Sequence, residues 1–142
     1  MASSRPRLSQ SHYELLAAWR HALRRFQRFS QEKARETGLT PQQHQALLAI
    51  KGFPGRDPAS IGEIAERLQL RHHSAVGLID RLAKRQLLRR VPSKADRRRI
   101  EVKITPKGEK MISQLSAAHL AELRHVSPEL RRLLESIGDN DT

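Results

Sequence analysis

The stretch Ser60–Ile104, SIGEIAERLQLRHHSAVGLIDRLAKRQLLRRVPSKADRRRIEVKI, constrains the fold more than any other part of the chain. Ser60 followed three residues later by Glu63 is a capping-box pattern at a helix start. Ile61, Ile64, Ala65 and Leu68 then recur at helical spacing. After a short break at Gln69-Leu70, Ala75, Leu78, Ile79 and Leu82 do the same. Two short helices with apolar stripes, a few residues apart, predict a helix-turn-helix. The second helix gives way near Gln86. Leu88–Val91 and the alternating Ile100-Glu101-Val102-Lys103-Ile104 predict two strands flanking a polar turn at Pro92–Arg99. The expected fold is mostly α with a small β-hairpin wing (α+β), a winged helix-turn-helix.

The flanks read as helices. Leu15, Trp19, Ala22, Phe26 and Phe29 form one stripe, widened by Leu16 and Leu23. No Pro or Gly intervenes before Gly38. Thr40 with Pro41 and Gln43 marks the next helix start, with Ala46, Leu47, Ala49 and Ile50 as its apolar positions. His44 falls on or near that buried face. Gly52–Pro58 is a loop. Thr105-Pro106 opens a helix carrying Ile112, Leu115, Leu120 and Leu123, expected to end near Val126. Ser127-Pro128 repeats the start signal and predicts a sixth helix with Leu130, Leu133, Leu134 and Ile137. The expected organisation is a loose tail at 1–10 and a single domain at 11–142. Within that domain, 40–105 is the winged lobe, and 11–37 and 106–138 are flanking helices.

Charge decides between partner classes. The net charge is +12, which points to nucleic acid or an anionic membrane. No apolar run approaches the ~20 residues of a membrane span. The first residues lack the apolar core of a secretory signal, so a cytoplasmic location with no membrane partner is expected. There is no cysteine, which excludes disulfides and thiolate chemistry. Between Arg81 and Lys103, ten of 23 residues are Lys or Arg, opposed only by Asp96 and Glu101. A solvated surface normally mixes signs, and this run adjoins a helix-turn-helix, so nucleic acid is the expected partner, double-stranded DNA if the helix enters a major groove.

If Ala75, Leu78, Ile79 and Leu82 face the core, His72, His73, Val76, Gly77 and Asp80 face away. Arg71, His72, His73 and Ser74 sit at the N-terminal end, which a helix in the major groove applies to base edges. Arg71 can donate two bonds to guanine. Val76, read as exposed, can meet a thymine methyl, and Gly77 allows close backbone approach. Arg81 and Lys94 extend the basic surface. Arg97, Arg98 and Arg99 at the hairpin tip suit a narrow minor groove. Asp96 is expected to orient them. The sequence holds no phosphate-cradling glycine loop, no nucleophile elbow and no His-Glu-x-x-His, so neither enzyme, metal nor cofactor is expected.

Three stretches resemble the MarR-type transcriptional regulators: Leu39–Gln43, Val76–Leu82, and Asp96-Arg97-Arg98 followed by Ile104–Gly108. The resemblance covers about residues 39–108. It implies a homodimer held by the terminal helices 11–37 and 106–138, with one wing per subunit. It also implies a small aromatic or anionic effector bound beside those helices, for which Trp19, Arg20 and His44 are the candidates. The family usually has Gly where Gln86 stands and a bulky apolar residue where His44 stands. His73 and Gly77 also depart from its pattern. The expected function is a sequence-specific regulator, a repressor, acting on a palindromic operator. The alternatives are a protein that coats nucleic acid without sequence preference, and a protein-docking adaptor whose wing does not bind DNA.

Overall fold

The computed structural model describes residues 7–55 and 58–139. Residues 1–6 of the expected tail, Arg56 and Asp57 of the loop, and the end at 140–142 lie outside them. The elements run α1 (Gln10–Glu36), α2 (Pro41–Lys51), β1 (Ala59–Ser60), α3 (Ile61–Leu68), α4 (His72–Lys84), β2 (Leu88–Pro92), β3 (Ile100–Ile104) and α5 (Pro106–Asp139). The described residues gather into two compact units, one within 31–118 and the other made of 7–30 with 119–139.

In the unit 31–118 both expected capping boxes form. Thr40 Oγ1 accepts from the Gln43 amide at 3.1 Å, and Gln43 Oε1 accepts from the Thr40 amide at 3.0 Å. Ser60 and Glu63 repeat the exchange at 3.1 Å each way. α2 and α3 thus start where backbone donors would otherwise lack partners. Leu39, Leu47, Ile64, Ile79, Leu82, Leu87, Leu88 and Val102 fill one apolar core with Ala75, Leu78 and Leu115. His44 is buried among them at 1% exposure.

The sheet has three strands rather than the two expected, in the order β1-β3-β2 and antiparallel throughout. The added strand is only Ala59–Ser60, paired with Val102 and Glu101. Two residues carry no period, and their extended state comes from pairing across the sheet. The alternation expected of β3 is only partial: Val102 is buried, while Ile100 is 49% exposed.

α4 ends through a left-handed residue. Gln86 has φ 62°. Its amide reaches Ala83 O at 2.9 Å, and the Leu87 amide reaches Leu82 O at 3.1 Å. This explains why a glycine is the expected residue there: a side chain in this region is disfavoured by about 1–2 kcal/mol. Gln86→Gly should therefore stabilise the protein by roughly 0.5 kcal/mol, after the greater unfolded-state freedom of glycine is set against the relief. Urea unfolding checks this, and a clear loss of stability would contradict it.

In the other unit, α1 up to Ser30 packs against α5 from His119 onward. Ala22 and Ser30 are buried. His119 Nε2 lies 2.8 Å from Ser30 Oγ, and its ring meets the edges of Phe26 and Phe29 at centroid distances of 6.0 and 5.5 Å. α5 corrects the expected sixth helix, for it runs unbroken through Pro128. Proline inside a helix removes one backbone bond and costs about 3 kcal/mol. The apolar positions Leu123, Val126, Leu130, Leu133 and Ile137 nevertheless keep spacings of three and four across it. Leu123 and Val126 before Pro128, and Leu130 after it, line one cavity with Trp19, Leu23 and Phe26 of α1. A break would put the two halves out of phase, so packing overrides the local start signal.

Candidate nucleic-acid interface

The helix-turn-helix and wing lie within the unit 31–118. α3 closes with Gln69 at φ 54°, and the Leu70 amide bonds back to Ala65 O at 2.9 Å. α4 restarts within three residues. Ala75, Leu78, Ile79 and Leu82 are buried as the spacing requires. The opposite side begins with Arg71, His72, His73 and Ser74, all exposed. Arg71 is the N-cap and makes no side-chain cap bond. The first turn thus presents backbone donors and four polar side chains together.

Two residues of this face sit differently from expectation. Val76 is half-buried and packs on the core, because its position borders the stripe facing α3. It lines the groove between helices and wing rather than standing free. Gly77 is half-buried as well, and a Cβ built on it would meet only the Arg81 guanidinium, at 3.8 Å. Nothing within the fold therefore demands glycine at this position.

The wing pairs Leu88 with Ile104, Arg90 with Val102, and Pro92 with Ile100. Its tip is a built turn. Ser93, 5% exposed, accepts through Oγ from the amides of Ala95 and Asp96 at 3.3 and 3.2 Å. Its amide donates to Arg99 O at 3.0 Å, and the Arg99 amide donates to Asp96 O at 3.0 Å. Asp96 Oδ1 accepts from the Arg98 amide at 3.0 Å. The expected orienting role of Asp96 thus takes the form of a backbone contact. Lys94, Arg97 and Arg98 are left exposed on this turn.

Three arginines of the basic run serve the fold. Arg85 donates to Gly38 O at 2.7 Å and to Gln43 Oε1 at 3.2 Å. Arg90 on β2 is paired with Asp80 on α4. Arg99 turns back from the tip, and its Nη2 lies 2.9 Å from both Ser60 Oγ and Glu63 Oε1. Composition could not reveal this, because an arginine facing a carboxylate distant in sequence has the same code as one facing solvent. Glu63 and Ser93 also shape this surface, although neither stands out in the sequence as a site residue. The only sequence signals were the capping box for Glu63 and the polar turn for Ser93. Between α3, α4 and the wing lies a groove of about 860 Å³, lined among others by Arg67, His72, Val76, Arg90, Arg98 and Ile100. Its lining mixes these arginines with the carboxylates of Glu63 and Glu66 and with apolar side chains.

The three effector candidates are distributed over both units. Trp19 lines the cavity between α1 and α5, whose volume is about 150 Å³. Arg20 is exposed and does not line that cavity. His44 lies in the core of the unit 31–118. Among the described residues, no group of His, Asp or Glu side chains is placed to hold a metal ion. No helix among them is long and apolar enough to cross a membrane.

Residues 37–99 match the family model described as MarR family. Over 107 residues the chain is 28% identical to the uncharacterized HTH-type transcriptional regulator YsmB of Bacillus subtilis (strain 168), covering 72% of this chain and 71% of that protein. Among solved structures it is similar to a MarR family protein from Bacillus stearothermophilus, with TM-score 0.77 and 18% identity over 95% of this chain and 98% of the other. It is also similar to a mutant of S. aureus MepR bound to an oligodeoxyribonucleotide, with TM-score 0.66 and 17% identity over 92% and 99%. At these identities the two structural likenesses establish the fold.

Proposed function

We propose that the chain, whose residues 37–99 match the MarR family of transcriptional regulators, works as a homodimeric, sequence-specific repressor on a palindromic operator. The observation that carries this reading is the shared exposure of Arg71–Ser74 at the start of α4 and of Lys94, Arg97 and Arg98 on the wing. Such a helix end suits base edges in the major groove, and such a tip suits the adjacent minor groove. The MepR structure with its oligodeoxyribonucleotide supports DNA as the partner.

Dimerisation through the terminal helices is supported by exposed apolar side chains. Tyr13, Leu16, Leu120 and Leu134 are each more than half exposed. All four lie in the unit formed by residues 7–30 and 119–139. Where such side chains join into one apolar patch, that patch marks an interaction site. Two subunits then set their recognition helices about 34–36 Å apart, one turn of DNA. An effector releases DNA by favouring one spacing of those helices over another. The cavity beside Trp19 suits a small aromatic group.

Selection from random DNA tests the reading. The expected product is a two-fold symmetric site with half-sites roughly 10 base pairs apart. Recovery of unrelated sequences would favour the coating protein instead. Gly77 gives a second test. Gly77→Ala should stabilise the free protein by about 0.5–1 kcal/mol through helix propensity. The same change should weaken operator binding, because the added methyl stands where the helix backbone approaches the bases. Thermal unfolding and binding titrations measured together check the opposed signs.

A further inference from the structure

We propose that Glu63 and Asp80 are positioning residues for DNA recognition. Each holds one strand of the wing against one helix of the helix-turn-helix, so that the tip keeps a fixed aim relative to α4. The proposal rests on the DNA-binding reading above.

The first clamp joins Arg99, the residue just before β3, to the start of α3. Arg99 Nη2 donates to Ser60 Oγ and Glu63 Oε1 at 2.9 Å each. Those acceptors are already the two halves of the α3 capping box. Glu63 Oε1 also accepts the Ser60 amide at 3.1 Å, and Ser60 Oγ accepts the Glu63 amide at 3.1 Å. The guanidinium therefore docks on atoms whose own positions are fixed. Ser60 also pairs with Glu101 in the sheet, next to the clamp in sequence. The second clamp joins β2 to α4 through Arg90 and Asp80. The two attachments fall on different strands and different helices, which together remove the rotation that either alone would leave.

The wing needs such attachments. Leu88 and Val102 at its base are buried, but Val91 is only half-buried and Pro92 and Ile100 are exposed. The outer hairpin has little apolar anchorage of its own, so charge-assisted hydrogen bonds define its angle. Lys94, Arg97 and Arg98 lie beyond both clamps. A carboxylate on a surface that meets phosphates weakens binding by repulsion. Two carboxylates placed there are explained if each sets geometry in return.

That opposition of signs gives the test. Glu63→Gln keeps the capping box, since Gln serves at that position as well as Glu, and removes the anionic partner of Arg99. Asp80→Asn does the same for Arg90. The expected result is that each variant binds random DNA as tightly as the parent or more tightly. Its preference for the selected site over random DNA should fall by about tenfold, the loss expected from one misplaced base-edge contact. In the free protein, amide exchange at residues 93–99 should speed up. A merely repulsive role predicts stronger binding to both DNAs by the same factor with unchanged exchange, and that result would overturn the proposal. A lost preference with unchanged tip exchange would also overturn it, since the carboxylates would then act by direct contact. If the parent protein shows no preference among DNA sequences, the sequence-specific reading fails, and the exchange measurement alone still decides the clamps. The charge exchange Asp80→Arg with Arg90→Asp should restore both slow exchange and preference, and failure of a folded exchange variant to do so counts against the proposal.

Discussion

Arg97→Ala combined with Arg98→Ala should weaken DNA binding by roughly a hundredfold or more at moderate salt, while leaving the fold intact. Both side chains are exposed on a turn whose shape is set by Ser93, Asp96 and the backbone. Removing them takes away no core contact, so thermal stability should change by less than about 0.5 kcal/mol. In a dimer the double change deletes four positive charges. Each phosphate neutralised contributes about 0.9 to the log–log salt slope, so the slope should fall by roughly 3 to 4. Fluorescence titrations across a salt series measure both quantities. Unchanged affinity would mean that the wing does not touch DNA, as the adaptor alternative requires.

Gly108→Ala should have the largest effect on stability. A Cβ at Gly108 would run into Leu87 O, and would lie 2.9 Å from Leu87 C and 3.0 Å from Ile104 Cγ2. The obstacle is mainly backbone, and the Leu87 carbonyl already accepts from the Thr105 amide at 3.2 Å. Thr105 Oγ1 donates to Gln86 O at 2.6 Å, and Lys107 Nζ donates to Arg85 O at 3.2 Å. The start of α5 is thus pressed onto the exit of α4, and a methyl group would force the two apart. The expected loss is about 3 kcal/mol or more, at the upper end for overpacking. For a chain of this size that lowers the melting temperature by roughly 10 °C. Gly62→Ala is the control, because a Cβ there meets nothing within 4 Å. It should be neutral or slightly stabilising. Equal effects of the two substitutions would contradict the packing argument.

Much of the fold was legible because its signals are local. Two capping boxes, an apolar stripe on α4 and an alternating β3 each follow from neighbouring residues. The misreadings have tertiary causes. Pro128 looks like a helix start from its neighbours alone, and only the packing of Leu123, Val126 and Leu130 with α1 keeps α5 whole. Ala59–Ser60 becomes a strand because β3 offers it partners. Val76 borders the core by the width of the buried stripe, which spacing defines only loosely.

The site was legible as a region and less so residue by residue. Charge density located the wing, yet it could not separate Arg97 and Arg98 from Arg90 and Arg99. The difference lies in Asp80 and Glu63, and Glu63 is 36 positions from Arg99. Gln86 shows the opposite case. Comparison with the family pattern marked it as unusual, and its positive φ supplies the physical reason.

Sequence-specific binding by a charged two-part surface is the property on which the proposed function depends. Its most direct test is the affinity of the full chain for its selected site and for a scrambled duplex, followed across a salt series. A steep decline is expected on both DNAs, with a log–log slope of about −5 to −9 for 6–10 phosphate contacts. A preference for the selected site of roughly 10³ or more is expected as well. A slope near zero, or equal affinity for the two duplexes at every salt concentration, would contradict it.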